Sequence, residues 1–134
     1  MKKIFAIILA IFFISNISYS KNIKEAYFAG GCFWCVEEFF EKTKGVEEVI
    51  SGYSGGKLEN PTYKQVTYED TGHFETAKII YDANIIKYKE LLNLYWKNID
   101  PFDSLGQFCD KGLSLSLIHI SEPTRLLSMS YSVV

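Results

Sequence analysis

The sequence contains few cysteines, almost no net charge and no long apolar run beyond its N-terminus. Three cysteines are present, Cys32, Cys35 and Cys109. A purely structural disulfide framework would more naturally use an even number, so an odd count favours a thiol that reacts. The formal net charge is −2, and no dense cluster of lysine and arginine occurs. We therefore expect no binding to nucleic acid or to an anionic membrane surface.

The one long apolar run lies at the N-terminus, where two lysines follow Met1 and apolar residues extend from Ile4 to Ile14. Small residues follow and end at Ser20. This layout is typical of a secretory signal peptide, and the run is shorter than the ~20 apolar residues that a membrane span needs. We expect residues 1–20 to be the signal peptide. The mature protein would then be exported to the periplasm or secreted, or remain tethered to the membrane if uncleaved.

Hydrophobic periodicity after Ser20 alternates between strand and helix patterns. This order predicts a small α/β or α+β fold of two layers, with helices on a mixed sheet. The predicted elements are a strand over Lys24–Ala29, a helix over Cys32–Lys44, a strand over Val46–Tyr53, a short helix from Asn60 to Val66, a strand over His73–Tyr81 and a helix over Ile86–Asn98. For the short helix, Asn60 would be the N-cap and Pro61 the first helical residue.

Cys32 follows Gly30 and Gly31 where a predicted strand meets a predicted helix. Unpaired helix N–H groups and the helix dipole favour a thiolate at this position, and the thiolate is the reactive form. The two glycines permit a tight turn and a close approach by a substrate. Cys35 completes a Cys-x-x-Cys spacing, which favours a redox role over a structural one.

Glu75 shares a predicted strand face with Ala77, Ile79 and Tyr81. Burial among apolar side chains would raise the pKa of the carboxyl group and keep it neutral. A neutral carboxyl beside a thiolate suits the reduction of a sulfoxide, because the oxygen must take up a proton as the sulfur is attacked. The alternative is an edge-strand glutamate that faces water. Tyr63 and His73 are further candidate donors.

Four motifs follow one another along the chain: Gly31-Cys32-Phe33-Trp34, Gly52-Tyr53-Ser54-Gly55-Gly56, Asn60-Pro61-Thr62-Tyr63 and Gly72-His73-Phe74-Glu75. In this order they resemble the A-type peptide methionine sulfoxide reductases. The similarity extends from about Ala26 to Gly112 and includes a downstream segment around Cys109. It implies a ferredoxin-like core and reduction of the S epimer of methionine sulfoxide, free or in proteins, as a repair reaction.

The resemblance also implies a role for each matching residue. Cys32 would be the nucleophile that becomes a sulfenic acid, and Glu75 would be the acid that protonates the sulfoxide oxygen. Tyr63 would hydrogen-bond the same oxygen. The substrate-binding residues would be Phe33, Trp34, His73 and Asp110, with the two aromatic residues receiving the substrate methyl group. From their pattern alone, both aromatic residues would be assigned to the core.

Cys35 departs from the family, which usually has glycine at this position. It is a candidate resolving thiol that would form a disulfide with the sulfenic acid, and Cys109 is the competing candidate. Cys35 could instead be a buried core residue. Either disulfide would need an external dithiol, such as a thioredoxin-like protein. We expect no bound metal or organic cofactor, and we expect a monomer.

The family pattern stops soon after Gly112. The family continues with a segment whose tyrosine is a further ligand of the sulfoxide oxygen, whereas this chain has Leu115 near that position and ends at Val134. We therefore expect a truncated reductase domain over residues 21–112 and a non-family, artefactual tail over residues 113–134. Missing strands would expose sheet edges and core, which would lower the stability and activity of this chain.

Two other classes of protein fit part of the pattern. A thioredoxin-like oxidoreductase would explain the Cys-x-x-Cys spacing, but such a fold needs a strand and a helix before the motif, and too few residues lie between Ser20 and Cys32. A non-enzymatic structural zinc site could use the three cysteines and His73. Only one Cys-x-x-Cys pair is present, however, which is half of a convincing zinc motif.

Overall fold

A computed structural model describes residues 20–103 and 105–120 of the chain. The predicted signal peptide and most of the predicted tail lie outside the described residues, and both stay predictions. The described elements, in chain order, are β1 (Ile23–Ala29), α1 (Phe33–Glu41), β2 (Val46–Ser54), α2 (Tyr63–Tyr68), β3 (Phe74–Asp82), α3 (Tyr88–Asn98), β4 (Gly106–Gln107), β5 (Asp110–Lys111), a 3₁₀ turn (Leu113–Leu115) and β6 (Ile118–Ile120).

The main sheet has four strands in the order β2-β3-β1-β6. With α1 and α3 as the connections, the chain follows the β-α-β-β-α-β path of a ferredoxin-like fold, as the resemblance implied. The α+β class is therefore confirmed. All three pairings of this sheet are antiparallel rather than mixed, because β3 lies between β1 and β2 and β1 lies between β3 and β6.

The core lies between one face of the sheet and the two helices α1 and α3. Alternate residues of β3 enter it, among them Ala77 and Ile79, as the period of two predicts. Phe28 of β1 is central to this core, with its ring centroid 5.0 Å from those of Phe40 and Tyr95. The sheet and one layer of helices therefore form the two layers expected from the sequence.

The helix between β2 and β3 begins later than the sequence pattern predicts. Its N-cap is Thr62, and Asn60 lies before the helix with φ of +50°, so the assignment of Asn60 as N-cap was wrong. The Gln65 N–H donates to the Thr62 hydroxyl, and the Gln65 side-chain oxygen accepts from the Thr62 N–H at 3.0 Å. This reciprocal capping box satisfies two backbone donors at once, which Asn60 could not do from its position.

The segment after α3, where the sequence predicts no helix or strand, contains a small β4–β5 hairpin. Gln107 anchors it, since its amide nitrogen donates to the Asp100 carbonyl at 2.9 Å and its amide oxygen accepts from the Asp100 N–H at 2.6 Å. Gly106 has φ of +153°, and a Cβ there would lie 2.1 Å from the Asp110 carbonyl oxygen. Only glycine therefore permits the two strands to approach this closely.

Among residues 20–103 and 105–120, no helix is long and apolar enough to cross a membrane.

Candidate active site

Cys32 lies between β1 and α1 and occupies the N-cap position of the helix. The backbone turns at Gly31, where φ is +81° and an added Cβ would lie 2.7 Å from the side chain of Gln107. The glycine therefore lets the start of α1 pack closely against the β4–β5 hairpin. The Cys32 side chain is partly exposed, as a thiol that must meet a substrate requires.

Glu75 is buried beside this helix start, with only 4% of its surface exposed. It belongs to β3, which lies between β2 and β1, so the alternative of an edge-strand glutamate facing water is excluded. The Phe33 N–H donates to Glu75 Oε2 at 3.1 Å. This N–H, which the sequence suggested would face the sulfur of Cys32, instead binds the carboxyl group and connects it to the start of the cysteine's helix.

Burial raises the pKa of the Glu75 carboxyl group. The hydrogen bond from Phe33 acts in the opposite direction, and the negative charge of Asp110 raises the pKa further. Burial is the largest of these effects, so Glu75 holds its proton to a higher pH than an exposed glutamate does. The arrangement thus places a buried carboxyl group with a raised pKa near the helix start that carries Cys32.

Three aromatic side chains converge next to the helix start. The ring centroids of Phe33 and Trp34 are 5.4 Å apart, those of Trp34 and Tyr63 are 5.9 Å apart, and those of Phe33 and Tyr63 are 6.4 Å apart. Phe33 is buried, but Trp34 is 51% exposed and Tyr63 is 41% exposed. Trp34 is therefore not a core residue, and the group forms an apolar surface that remains accessible.

A cleft of about 570 Å³ contains all three cysteines. Cys35 and Cys109 are both exposed, which rules out the alternative of Cys35 as a buried core residue. Partial burial raises the pKa of the Cys35 thiol, and the neighbouring Cys32 charge and a hydrogen bond with Cys32 add to this effect. Asp110 lines the same cleft, next to Cys109 on the hairpin. The two candidate resolving thiols and the candidate nucleophile thus share one opening.

His73, which the sequence suggested as a donor and as a substrate-binding residue, is buried and bonded to backbone. Its Nδ1 accepts from the Gly56 N–H at 3.2 Å, and its Nε2 lies 2.9 Å from the Leu58 carbonyl oxygen. A ring nitrogen would have to break one of these bonds to reach a substrate or a metal. No group of three or more His, Cys, Asp or Glu side chains suited to hold a metal ion occurs in the described part of the chain.

Tyr53 is a residue of this site that the sequence reasoning missed. It is fully buried, its ring centroid is 5.6 Å from that of Phe33, and it lies opposite Glu75 in the β2–β3 register. Its hydroxyl is buried without a hydrogen-bond partner in the described structure. Strand alternation across β2 and β3 could have found it only if the register of the two strands had been known.

Fold and site together define a ferredoxin-like α+β domain with a thiol at a helix start beside a buried carboxylic acid. The family model described as "Peptide methionine sulfoxide reductase" matches residues 24–125. The chain belongs to this family.

Two curated relatives carry the name peptide methionine sulfoxide reductase MsrA. The protein of Ligilactobacillus salivarius is 49% identical over 108 residues, which are 78% of this chain and 63% of the relative. The protein of Bacillus subtilis is 51% identical over 95 residues, or 71% of this chain and 54% of the relative. The chain thus spans between about half and two thirds of the length of these relatives.

Solved structures agree with the sequence matches. Methionine sulfoxide reductase A of Corynebacterium diphtheriae superposes with a TM-score of 0.71 at 27% identity, covering 77% of this chain and 49% of that chain. Mxr1 from Saccharomyces cerevisiae in its reduced form superposes with a TM-score of 0.66 at 27% identity, covering 77% of this chain and 62% of that chain. The thioredoxin-like alternative is not supported, because only one described strand precedes α1 and the topology is ferredoxin-like.

Proposed function

We propose that this protein reduces the S epimer of methionine sulfoxide, free or in proteins, to methionine. The observation that carries the proposal is the hydrogen bond from the Phe33 N–H to Glu75, because it fixes a buried acid next to the residue that follows Cys32. Family membership supports the same chemistry. Tyr63 would donate a hydrogen bond to the sulfoxide oxygen, and Phe33 and Trp34 would receive the methyl group.

The reaction begins when the Cys32 thiolate attacks the sulfoxide sulfur and Glu75 gives its proton to the sulfoxide oxygen. The new sulfur–sulfur bond and the sulfur–oxygen bond of the substrate then break as the hydroxyl group moves to Cys32, which becomes a sulfenic acid, and methionine leaves. The substrate sulfur gains two electrons and the cysteine sulfur loses two. Glu75 ends this half-reaction as a carboxylate and must take up a proton before the next turnover.

Resolution follows when a second thiol attacks the sulfenic acid, which forms a disulfide and releases water. We assign this step to Cys35, which lies one helical turn from Cys32 and whose backbone N–H donates to the Cys32 carbonyl at 3.1 Å. Cys109, exposed in the same cleft, is the alternative. An external dithiol, such as a thioredoxin-like protein, then reduces the disulfide by thiol exchange. Asp110 on the rim of the cleft would orient the substrate.

The test compares the wild-type protein with Cys32→Ser on the two separated epimers of a methionine sulfoxide peptide, with dithiothreitol as the reductant. We expect reduction of the S epimer only, and its complete loss in Cys32→Ser, because a hydroxyl group is a far weaker nucleophile than a thiolate. Cys109→Ser is the matched control and should keep turning over, because Cys35 still resolves the sulfenic acid and dithiothreitol reduces the resulting disulfide. Turnover by Cys32→Ser near the parent rate would refute the proposal.

A further inference from the structure

Tyr53 carries a hydroxyl group that the fold buries without a partner. Among the described residues, its oxygen is a buried side-chain atom with no hydrogen bond. Folded proteins seldom leave such a group unpaired, and an exception calls for an explanation in a state other than the one observed. The ring itself is well fixed, with Phe33 on one side at 5.6 Å and His73 edge-on at 6.5 Å between centroids. The hydroxyl group therefore has a defined position but no hydrogen-bond partner in the described structure.

Glu75 lies directly across the sheet from Tyr53. The two residues are paired in the antiparallel register of β2 and β3, so their side chains leave the same face from adjacent positions. Both are buried, and Tyr53 is within reach of the charge of Glu75, which contributes to raising the tyrosine pKa. An unpaired donor thus shares a buried site with a carboxyl group that must lose its proton in the proposed reaction.

Deprotonation changes what Glu75 needs from its surroundings. As a neutral acid it tolerates burial, but as a carboxylate it has two charged oxygens that require donors. The Phe33 N–H supplies a donor to Oε2. We propose that the Tyr53 hydroxyl supplies a further donor by hydrogen-bonding the Glu75 carboxylate once it forms. Tyr53 is then a positioning residue that acts through the acid, and this inference rests on the proposed function.

The tyrosine donates this hydrogen bond and keeps its own proton. Burial, followed by the charges of Glu75 and Tyr63, raises the pKa of Tyr53 to about 12, so the phenol stays intact throughout the neutral range. The other titratable groups around this pair are Tyr63 from α2, Asp110 from β5 and His73, whose ring lies edge-on to Tyr53. Cys32 precedes Phe33 at the start of α1. The negative charge of Asp110 opposes ionisation of Glu75. A hydrogen bond from Tyr53 to the Glu75 carboxylate would offset this repulsion.

The test is the titration of Glu75 by ¹³C NMR of the glutamate carboxyl carbons, with Glu75→Gln identifying the signal. In Tyr53→Phe we expect the pKa of Glu75 to rise, because a donor to the charged form has been removed. The fall in reductase rate as pH rises through that pKa should move upward in parallel. The rate itself should drop about tenfold or more, as for the loss of a hydrogen bond to a charged group.

Tyr95→Phe is the matched control, because Tyr95 is also buried and its hydroxyl donates to the Ala29 carbonyl at 2.6 Å. We expect it to lower the melting temperature without moving the Glu75 titration. Tyr53→Phe should leave the melting temperature unchanged or higher, since it removes an unpaired group. A Glu75 titration that is identical in the wild-type protein and Tyr53→Phe would overturn the inference, and so would an equal shift in Tyr95→Phe.

The NMR titration requires no turnover, so the two proposals can fail separately. If the wild-type protein does not reduce methionine sulfoxide, the proposed function falls, and the titration still decides whether Tyr53 supports the Glu75 carboxylate.

Discussion

Glu75 is the residue at which local sequence and long-range packing combine most directly. The sequence places it among apolar neighbours on a strand, and the fold puts that strand inside the sheet. Burial then raises its pKa, while a backbone N–H from the start of α1 limits the rise. The same carboxyl group therefore holds its proton to a higher pH than an exposed glutamate does, and it is hydrogen-bonded to the start of α1.

Replacing Glu75 by glutamine should slow the reduction step by roughly 10²–10⁴-fold, the usual contribution of a positioned general acid. Glutamine keeps an oxygen that can accept from the Phe33 N–H, so the local structure and the affinity for substrate should change little. Rapid-quench measurement of methionine release at saturating substrate checks the rate, and its dependence on concentration checks affinity. A variant that loses affinity but keeps the saturated rate would remove Glu75 from the role of acid.

The pH dependence of that rate has a definite sign. The wild-type rate of acid-assisted reduction should fall as pH rises through the elevated pKa of Glu75, because the proton is then lost. Glu75→Gln should lack this particular decline, since it has no proton to lose. Both proteins retain whatever dependence arises from Cys32, so the comparison isolates the acid.

Among the secondary-structure elements, the β4–β5 hairpin brings distant residues into the cleft. It carries Asp110 and, in its turn, Cys109, and both line the cleft with Cys32 and Cys35. The hairpin follows α3 in the sequence. Its residues lie beside the start of α1 because the chain folds back toward that helix after Asn98. The sequence predicts no strand here, because two-residue strands are too short for a periodic pattern.

Gly106→Ala should disrupt this hairpin and destabilise the protein by about 1–3 kcal/mol, the typical cost of a residue held in an unfavourable backbone region. An added Cβ would lie 2.1 Å from the Asp110 carbonyl oxygen, and a backbone atom cannot move aside as a side chain can. Urea denaturation measures the free energy of unfolding. Gly112→Ala is the control, because its Cβ would meet nothing closer than 3.8 Å. Equal stability of the two variants would contradict the account of Gly106.

At the scale of the whole molecule, the burial of Glu75 should make the free energy of unfolding depend on pH. Since the folded-state pKa is raised, the folded protein binds the proton more tightly than the unfolded chain does. Wild-type stability should therefore decline as pH rises above the ordinary glutamate value of 4.5 and level off above the folded-state pKa. Glu25 contributes in the opposite direction, because Lys78 lowers its pKa, so its half-buried ion pair with Lys78 is lost as pH falls.

Comparison with Glu75→Gln separates these two contributions, since both proteins contain Glu25. The variant should be more stable than the wild-type protein at neutral pH, and the difference should vanish below about pH 4, where both states of the carboxyl group are protonated. Denaturation curves across the pH range measure it. A difference in stability that stays constant with pH would mean that folding does not raise the pKa of Glu75.

The sequence by itself determined the strands and helices whose side-chain periodicity is local and regular. Alternation predicts β1 and β3, a helical stripe predicts α3, and the glycine-flanked Cys32 predicts a reactive thiol at a helix start. These signals need only neighbouring residues, because steric preferences and amphipathic periods act over a few positions. The predicted start of α2 was wrong, because a capping box between Thr62 and Gln65 begins the helix after the Asn60-Pro61 pair.

Only the tertiary structure decided which distant residues meet. The β2–β3 register sets Tyr53 opposite Glu75, the sheet order buries that glutamate, and the hairpin returns Cys109 to the cleft. No local pattern encodes these pairings, because strand register and loop return are fixed by the packing of the whole core. The sequence thus determined the reactive groups, and the fold decided how burial, hydrogen bonding and proximity act on them.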